Sequence, residues 1–461
     1  MTSVLNPNNA SDVNVASRLR DRLSSRTTDD ANFWSFSALR NRTGNHALFQ
    51  YPAMMVPELQ GALLDDLIAV QPDIELVYDP FAGSGTVMLE SLYRGLDFHG
   101  SDINPLAILL CQVKADPPTS DAALAGVNEV LRRIKSLDEA DVPDFPGIDK
   151  WFKPEIKRGL ALVREAISQL PDLKTRRFLW VCMAETIRLV SNSRISTFKL
   201  HTYSEKEIER RESDALKAFG MVANLNVERL KLHWDRMCLL SQNKTVPKAL
   251  LLPGSVSDPW IAPRHADVLM TSPPYGDNKT TVPYGQHSYL PLQWICHDDI
   301  PGTFDSALLE STHRIDLLSL GGSLKKADMA REELCEASPT FRVYLRDLDE
   351  FPPLRKKVLS FVRDYRKALM DVRTRLVDGA FCFLTLGERR VGKRTFPLVE
   401  ITRELLLSDG HEHVTTIERA LPGSRKRMAA KNSEGSTMAQ EWILITRSWN
   451  CLLYTSPSPR D

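Results

Sequence analysis

ELVYDPFAGSGTVMLESLYRGLDFHGSDINPLA, Glu75 to Ala107, is the stretch on which the fold turns. A short apolar run, Leu76 to Tyr78, leads into a turn holding Gly83 and Gly85. A helical segment follows from about Thr86 to Tyr93, ended by Gly95, and a second run closes in an acid, Asp102. Strand, glycine turn, helix and strand make a βαβ unit. The two glycines let the backbone turn tightly and approach a ligand with no Cβ in the way, and the start of the following helix offers unpaired N–H groups. Asp79, at the first strand's tip, suits a ligand ammonium. Asp102, about 20 residues on, stands where an acid grips ribose hydroxyls in nucleoside-binding βαβ folds. Alone, a G-x-G equally fits a turn packed for its own sake.

Outward from this unit the pattern continues to alternate. Upstream, HALFQYPAMMVPELQGALLDDLI (His46 to Ile68) spaces Leu59, Leu63, Leu64 and Leu67 as a helix does. Downstream, KALLLPGS and ADVLMTSP read as strands, about 350 to 378 as a helix, AFCFLTLG as a strand, FPLVEITRELLLS as a helix, and HVTTIERAL and EWILITR as strands. Between Asp102 and KALLLPGS lies a mainly helical excursion, roughly 119 to 245. Residues 1 to 45 are polar and without a clear period, so they read as a flexible arm. The block from about 300 to 347 lacks periodicity and reads as an insertion.

ADVLMTSPPYGDN, Ala266 to Asn278, ends a good strand abruptly. Proline lacks an N–H and fixes φ, so Pro273-Pro274 cannot continue a ladder and the chain must leave the sheet there. Its carbonyls are then available in whatever crevice lies past the strand's carboxyl end, where open α/β sheets keep their sites.

The pair DPFAGSGT and TSPPYGD resembles the S-adenosylmethionine-dependent DNA amino-methyltransferases, which modify the exocyclic amine of cytosine or adenine. QYPAMMVPELQGALLDDLI is similar to the helical motif preceding that family's cofactor loop, and RALPGSRKRMAAKNSEGSTMAQEWILITR to its late hairpin region. The matches cover roughly 46 to 113 and 248 to 447 and leave the excursion unmatched. The resemblance implies a Rossmann-like methyltransferase sheet, mostly parallel with an antiparallel final hairpin, carried by 46–118 and 246–450 and interrupted by a helical insert, 119–245. It implies S-adenosylmethionine as cofactor, held by Asp79, Phe81, Gly83, Gly85, Thr86, Asp102 and Ser255, and no metal. Ser255 stands where the family commonly has an acid for the cofactor's adenine; Ser255 can itself hydrogen-bond there, and Asp258 is the alternative candidate.

For chemistry, the resemblance implies Ser272, Pro273, Pro274 and Tyr275. The Ser272 side chain and the Pro273 carbonyl would accept the amine hydrogens and draw nitrogen toward tetrahedral geometry, the stiff diproline holding them still. Tyr275 would stack on the base, its competing reading being a core aromatic. Ser at position 272, rather than Asp or Asn, favours cytosine N4 over adenine N6. The substrate would be double-stranded DNA with a flipped target base, a restriction nuclease being the implied partner. Lys279 and Tyr284, in the stretch after the diproline, read either as a base-pocket wall or as a well-packed loop. Arg425, Lys426 and Arg427 offer phosphate contacts. In the excursion, Arg188, Arg194, Lys199 and His201 fit a target-recognition region or the charged face of a helical cap. An RNA amino-methyltransferase and a non-catalytic nucleic-acid-binding module of a defence complex are the rival readings.

Bulk properties are compatible with this. Over 461 residues, 43% are apolar and 26% charged, as in ordinary globular proteins. Net charge is zero, yet 151–250 hold 19 Lys+Arg against 11 Asp+Glu, which points mildly to a polyanionic partner. The seven cysteines form no C-x-x-C pair, so neither zinc nor a disulfide framework is expected. The opening MTSVLNPNNASD lacks a signal peptide's apolar core and no run approaches a membrane span, so the cytoplasm is the expected location. CLLYTSPSPRD, Cys451 to Asp461, resembles the translation of a sequencing adapter and is set aside, leaving room for a recognition domain after about Asn450.

Overall fold

A computed structural model describes residues 8–38, 41–241, 246–259, 261–276, 282–321, 323–325, 327–391, 394–421 and 440–449. Its centre is a seven-stranded sheet built from β1 (Leu76–Asp79), β2 (Asp97–Asp102), β3 (Ala249–Pro253), β4 (Ala266–Thr271), β5 (Leu376–Leu386), β8 (His411–Ala420) and β9 (Gln440–Ser448). Two further strands, β6 (Arg390–Val391) and β7 (Arg394–Thr395), pair only with each other. The order across the sheet is β3-β2-β1-β4-β5-β9-β8. Pairings from β3 to β5 are parallel, while β9 runs antiparallel to both β5 and β8. This is the Rossmann-like α/β sheet with its antiparallel final hairpin. Strand β1 is buried along its whole length, as a central parallel strand covered on both faces must be, which is why it reads as an unbroken apolar run.

The helices are α1 (Asn8–Asp29), α2 (Pro57–Val70), α3 (Thr86–Leu92), α4 (Pro105–Ala115), then α5 (Ser120–Ile134), α6 (Ile148–Trp151), α7 (Pro154–Ser168), α8 (Leu173–Val190), α9 (Glu205–Arg210) and α10 (Ala215–Ser241) across the excursion. They continue with α11 (Tyr284–Trp294), α12 (Arg314–Leu318), α13 (Arg331–Ala337), α14 (Pro339–Arg346), α15 (Pro352–Arg373) and α16 (Leu398–Ser408). The excursion is thus helical throughout its regular parts. Its α7, α8 and α10 share one apolar core with α4 and α11, including Phe178, Trp180, Phe219, Leu109 and Trp294. A bidentate pair, Arg176 to Asp299 at 2.8 Å on both arms, and Trp180 Nε1 donating to the same carboxylate at 2.7 Å, clamp it to the segment after α11.

One expectation is corrected, and one aperiodic segment is found to hold short helices. The arm is not free: α1 occupies much of it, with Ala16, Leu19 and Leu23 buried, and Arg22 and Arg26 paired with the fully buried Asp66 carboxylate of α2 at 2.7 and 3.0 Å. Its apolar face rests on Val15, Ala16, Leu19 and Leu23, too few to raise a period in an otherwise polar segment. The aperiodic block 300–347 contains α12, α13 and α14, elements of five to eight residues, shorter than a periodicity window.

Strand order reverses between β1 and β4: from β1 the chain winds outward to β2 and β3, and from β4 to β5. The crevice outside the carboxyl ends at such a switch point is where doubly wound sheets bind ligands. The glycine loop follows β1 and the diproline loop follows β4.

Candidate active site

Both loops open onto one cleft of about 1870 Å³. Phe81, Gly83, Thr86 and Asp102 line it together with Ser255, and so do Ser272, Pro273, Pro274, Tyr275 and Tyr284. The two strand tips are joined directly, Thr271 Oγ1 donating to Asp79 Oδ1 at 2.6 Å. Asp79 Oδ1 also accepts from Phe81 N at 3.0 Å, so this carboxylate organises the entrance of the glycine loop and the last residue before the diproline loop at once.

Asp79 itself is fully buried and does not line the cleft, and its Oδ2 has no hydrogen-bond partner. Burial pushes its pKa up to about 7, against the pull of the Thr271 and Phe81 hydrogen bonds. A buried carboxylate with an unpartnered oxygen just beneath a glycine loop suits a cationic donor, which would relieve the cost of charging it.

The glycine loop is held from several sides. Gly83 N donates to Asp102 Oδ2 and Asn104 N to Asp102 Oδ1, both at 2.8 Å, which fastens the loop to the tip of β2. Burial raises the Asp102 pKa to about 6 while these two bonds oppose it. Gly83 (φ +50°) and Gly85 (φ +70°) both adopt the left-handed conformation. They differ in surroundings. A Cβ on Gly83 would meet only atoms at 3.7 Å, one of them on Tyr51, whereas one on Gly85 would strike Cys111 Sγ at 2.9 Å and Met88 Cε at 3.1 Å. Gly85 is therefore held to glycine by its φ and by packing against Cys111 of α4, and Gly83, which borders the cleft, by its φ alone. Beneath the loop the fully buried Lys114 donates its Nζ to Ser84 O, and burial lowers its pKa to about 7.

Ser255 lines the cleft after β3, its hydroxyl accepting from Ser257 N at 3.2 Å. Asp258 does not line it; its carboxylate accepts from Ser255 N at 2.6 Å, so it braces the turn rather than replacing the missing acid. On the base side, Ser272 Oγ lies 3.1 Å from the Tyr275 hydroxyl, which in turn donates to Glu441 Oε1 at 3.4 Å. Tyr275 is half-buried, its ring set against the apolar cluster that includes Tyr78 and Leu386, so it is both a cleft wall and partly a core residue. Tyr284 opens α11 and stacks on Tyr51 at 5.7 Å and 27°. The stretch from Tyr284 is thus a helix rather than a loop, and Tyr289 is buried edge-on against Phe145, away from the cleft. Lys279, Arg425, Lys426 and Arg427 lie outside the described residues.

Asn104, Glu441 and Arg419 escape a sequence reading, whereas three of the four insert residues singled out there do reach the cleft. Asn104 donates to the Tyr51 hydroxyl at 2.9 Å and to Ser288 Oγ at 2.7 Å while its carbonyl caps α4 through Leu106 N, joining three distant segments at one wall. Glu441 and Arg419 arrive from the final hairpin, opposite each other in register and 3.4 Å apart. From the insert, Arg194, Lys199 and His201 reach the cleft on a loop closed by a Ser193–Thr202 bridge and Arg194 N to His201 O at 2.8 Å; Arg188 instead pairs with Glu185 at 2.6 Å.

No family model matches the sequence. The Type II methyltransferase M.MvaI of Kocuria varians is 29% identical over 458 residues, spanning 94% of this chain and 97% of that protein. The chain is thus similar to a methyltransferase over nearly its whole length. Because the likeness runs nearly end to end, it takes in the helical excursion as well as the two motif regions. Among solved structures, the rRNA methyltransferase aviRa from Streptomyces viridochromogenes aligns with 11% identity and a TM-score of 0.30 over 89% of this chain and 95% of that one, an overlay too loose to carry weight. No helix among the described residues is long and apolar enough to cross a membrane.

Proposed function

We propose that this chain methylates an exocyclic amine in double-stranded DNA, cytosine N4 in preference to adenine N6, with S-adenosylmethionine as donor. The observation that carries the reading is the shared cleft at the sheet's switch point, its two loops tied by the Thr271–Asp79 hydrogen bond. The near full-length likeness to a Type II methyltransferase supports the methyltransferase reading; with it we propose action in the cytoplasm alongside a separate restriction nuclease.

The bound cofactor would supply an electrophilic methyl group on a sulfonium. Its ammonium suits Asp79 Oδ2, its ribose suits Asp102, and Phe81, Gly83, Thr86 and Ser255 frame the rest; Gly85 keeps the loop seated on α4. At the acceptor end, the amine's lone pair is delocalised into the base ring and must be localised before it can attack. Ser272 Oγ and the Pro273 carbonyl do this by accepting the two amine hydrogens, and rigid Pro274 keeps that carbonyl fixed, so little reorganisation is needed during reaction. With both hydrogens so held, the nitrogen's lone pair would be aimed at the methyl group the cofactor supplies, and the proton the methylated nitrogen then loses would leave along one of these two hydrogen bonds to solvent in the cleft. An amine paired inside a duplex is out of reach, so the nucleotide flips out at a cost of a few kcal/mol. Stacking against Tyr275 and the Tyr51–Tyr284 pair offsets about 1–3 kcal/mol of it. Arg194, Lys199 and His201 on the insert loop supply backbone and base contacts beside the cleft.

Incubating the protein with methyl-labelled S-adenosylmethionine and, separately, duplex DNA, tRNA and rRNA tests this. Label in DNA is expected; label in RNA alone would replace the substrate, and label in none would leave a binding module.

A further inference from the structure

We infer that Glu441 is a positioning residue: it fixes the direction of a hydrogen-bond chain so that Ser272 meets the target amine as an acceptor. The inference rests on the reading of the cleft given above.

A serine hydroxyl donates or accepts with equal ease. An amine that must lose its conjugation needs acceptors only, and a serine that donated to the base instead would leave the lone pair in the ring. An aspartate in the same position has no such ambiguity. The chain around Ser272 removes it here. Glu441, ionised, can only accept. The Tyr275 hydroxyl donates to Glu441 Oε1 at 3.4 Å, and burial together with the nearby Glu441 charge raises the Tyr275 pKa well above the ordinary phenol value, so the proton stays on the tyrosine. With its hydrogen committed to Glu441, Tyr275 has only a lone pair to offer Ser272, 3.1 Å away. Ser272 therefore donates to Tyr275, and its own lone pairs are left for the cleft.

Glu441 is held for this task. It sits opposite Arg419 in the β8–β9 register, and the Arg419 guanidinium, with a side chain only 1% exposed, lies 3.4 Å from its other oxygen. All four residues, Ser272, Tyr275, Glu441 and Arg419, border the same cleft. The sheet's antiparallel hairpin, through β9, thereby sets the polarity of a loop that leaves the sheet two strands away.

The test compares single-turnover methyl transfer to duplex DNA by Tyr275→Phe, Glu441→Gln and each of these combined with Ser272→Asp, alongside cofactor and duplex affinities. Tyr275→Phe keeps the ring and the Arg419–Glu441 pair, so it decides the matter should Glu441→Gln not fold. Each single variant is expected to slow transfer roughly ten- to a hundredfold, the worth of one directed hydrogen bond to a charged network, with both affinities unchanged. Ser272→Asp, an acceptor that needs no directing, is expected to restore most of the rate in either background, which a merely structural role for Glu441 would not allow. Wild-type rates in the single variants, or no restoration by Ser272→Asp, would overturn the inference while leaving the cleft reading intact. Absence of transfer by the unmodified protein to any nucleic acid would instead fail that reading, and the inference with it.

Discussion

Replacing Gly85 by alanine should destabilise the protein more than the same change two residues earlier. At Gly85 two costs combine. Alanine in the left-handed region (φ +70°) costs about 1–2 kcal/mol relative to glycine. Its methyl would also lie 2.9 Å from Cys111 Sγ and 3.1 Å from Met88 Cε in a fully buried setting, and overpacking of this kind costs about 1–3 kcal/mol. Together the loss is about 2–5 kcal/mol. At Gly83 (φ +50°) the nearest atoms lie at 3.7 Å, so only the backbone cost of about 1–2 kcal/mol applies. Urea unfolding of Gly85→Ala, Cys111→Ala and the double variant separates the two costs. Removing Cys111 Sγ should erase the closer of the two contacts and leave the Met88 one, so the cycle should show a coupling of about 1–2 kcal/mol. Calorimetric titration with S-adenosylmethionine should show the reverse ranking per unit of stability lost, because the Gly83 methyl enters the cleft beside Tyr51. Equal stability of Gly83→Ala and Gly85→Ala, a coupling near zero, or undiminished cofactor affinity in Gly83→Ala would refute this division of roles.

The buried Asp79 gives a pH prediction with a definite sign. Its pKa of about 7 lies above the ordinary carboxylate value, so below neutrality the uncomplexed protein holds it protonated and cofactor binding must expel that proton; affinity should rise with pH up to about 7 and level off above it. Asp79→Asn should weaken binding and flatten this component of the profile, and an unchanged slope would assign it to another group such as Asp102. Thr271→Val removes the 2.6 Å bond that favours the charged form, so the levelling point should move above pH 7 and stability at pH 8 should fall by about 1–3 kcal/mol; a profile identical to wild type would mean the bond does not form in solution. Ser272→Ala should abolish methyl transfer without altering cofactor affinity in a filter-binding assay, and full activity would remove Ser272 from the site.

The sheet was readable because its chain alternates apolar runs with amphipathic helices and because glycine and proline mark the two loops by backbone chemistry alone. Gly83, Gly85 and Pro273-Pro274 announce sharp departures from the sheet whatever surrounds them. Asp102 was readable too, standing at a strand tip a fixed distance beyond the turn. What sequence could not give was anything set by tertiary contact. Helix α1 hides a short apolar stripe in a polar segment and is fastened by Asp66, more than 30 positions away. Tyr51, Asn104 and Glu441 enter the cleft only because α4, α11 and the last hairpin converge there. Asp258 had the right chemistry for an adenine edge, yet its side chain turns back onto Ser255 N, a three-residue turn that composition does not reveal.

Digesting methylated duplex DNA to nucleosides and identifying the labelled product by mass spectrometry tests the whole account most directly. N4-methylcytosine, formed at one defined sequence and lost in Ser272→Ala, is the expected product. Label on a ring carbon, or none on any base amine, would mean that the two loops of this cleft do not bring a methyl group to an exocyclic nitrogen.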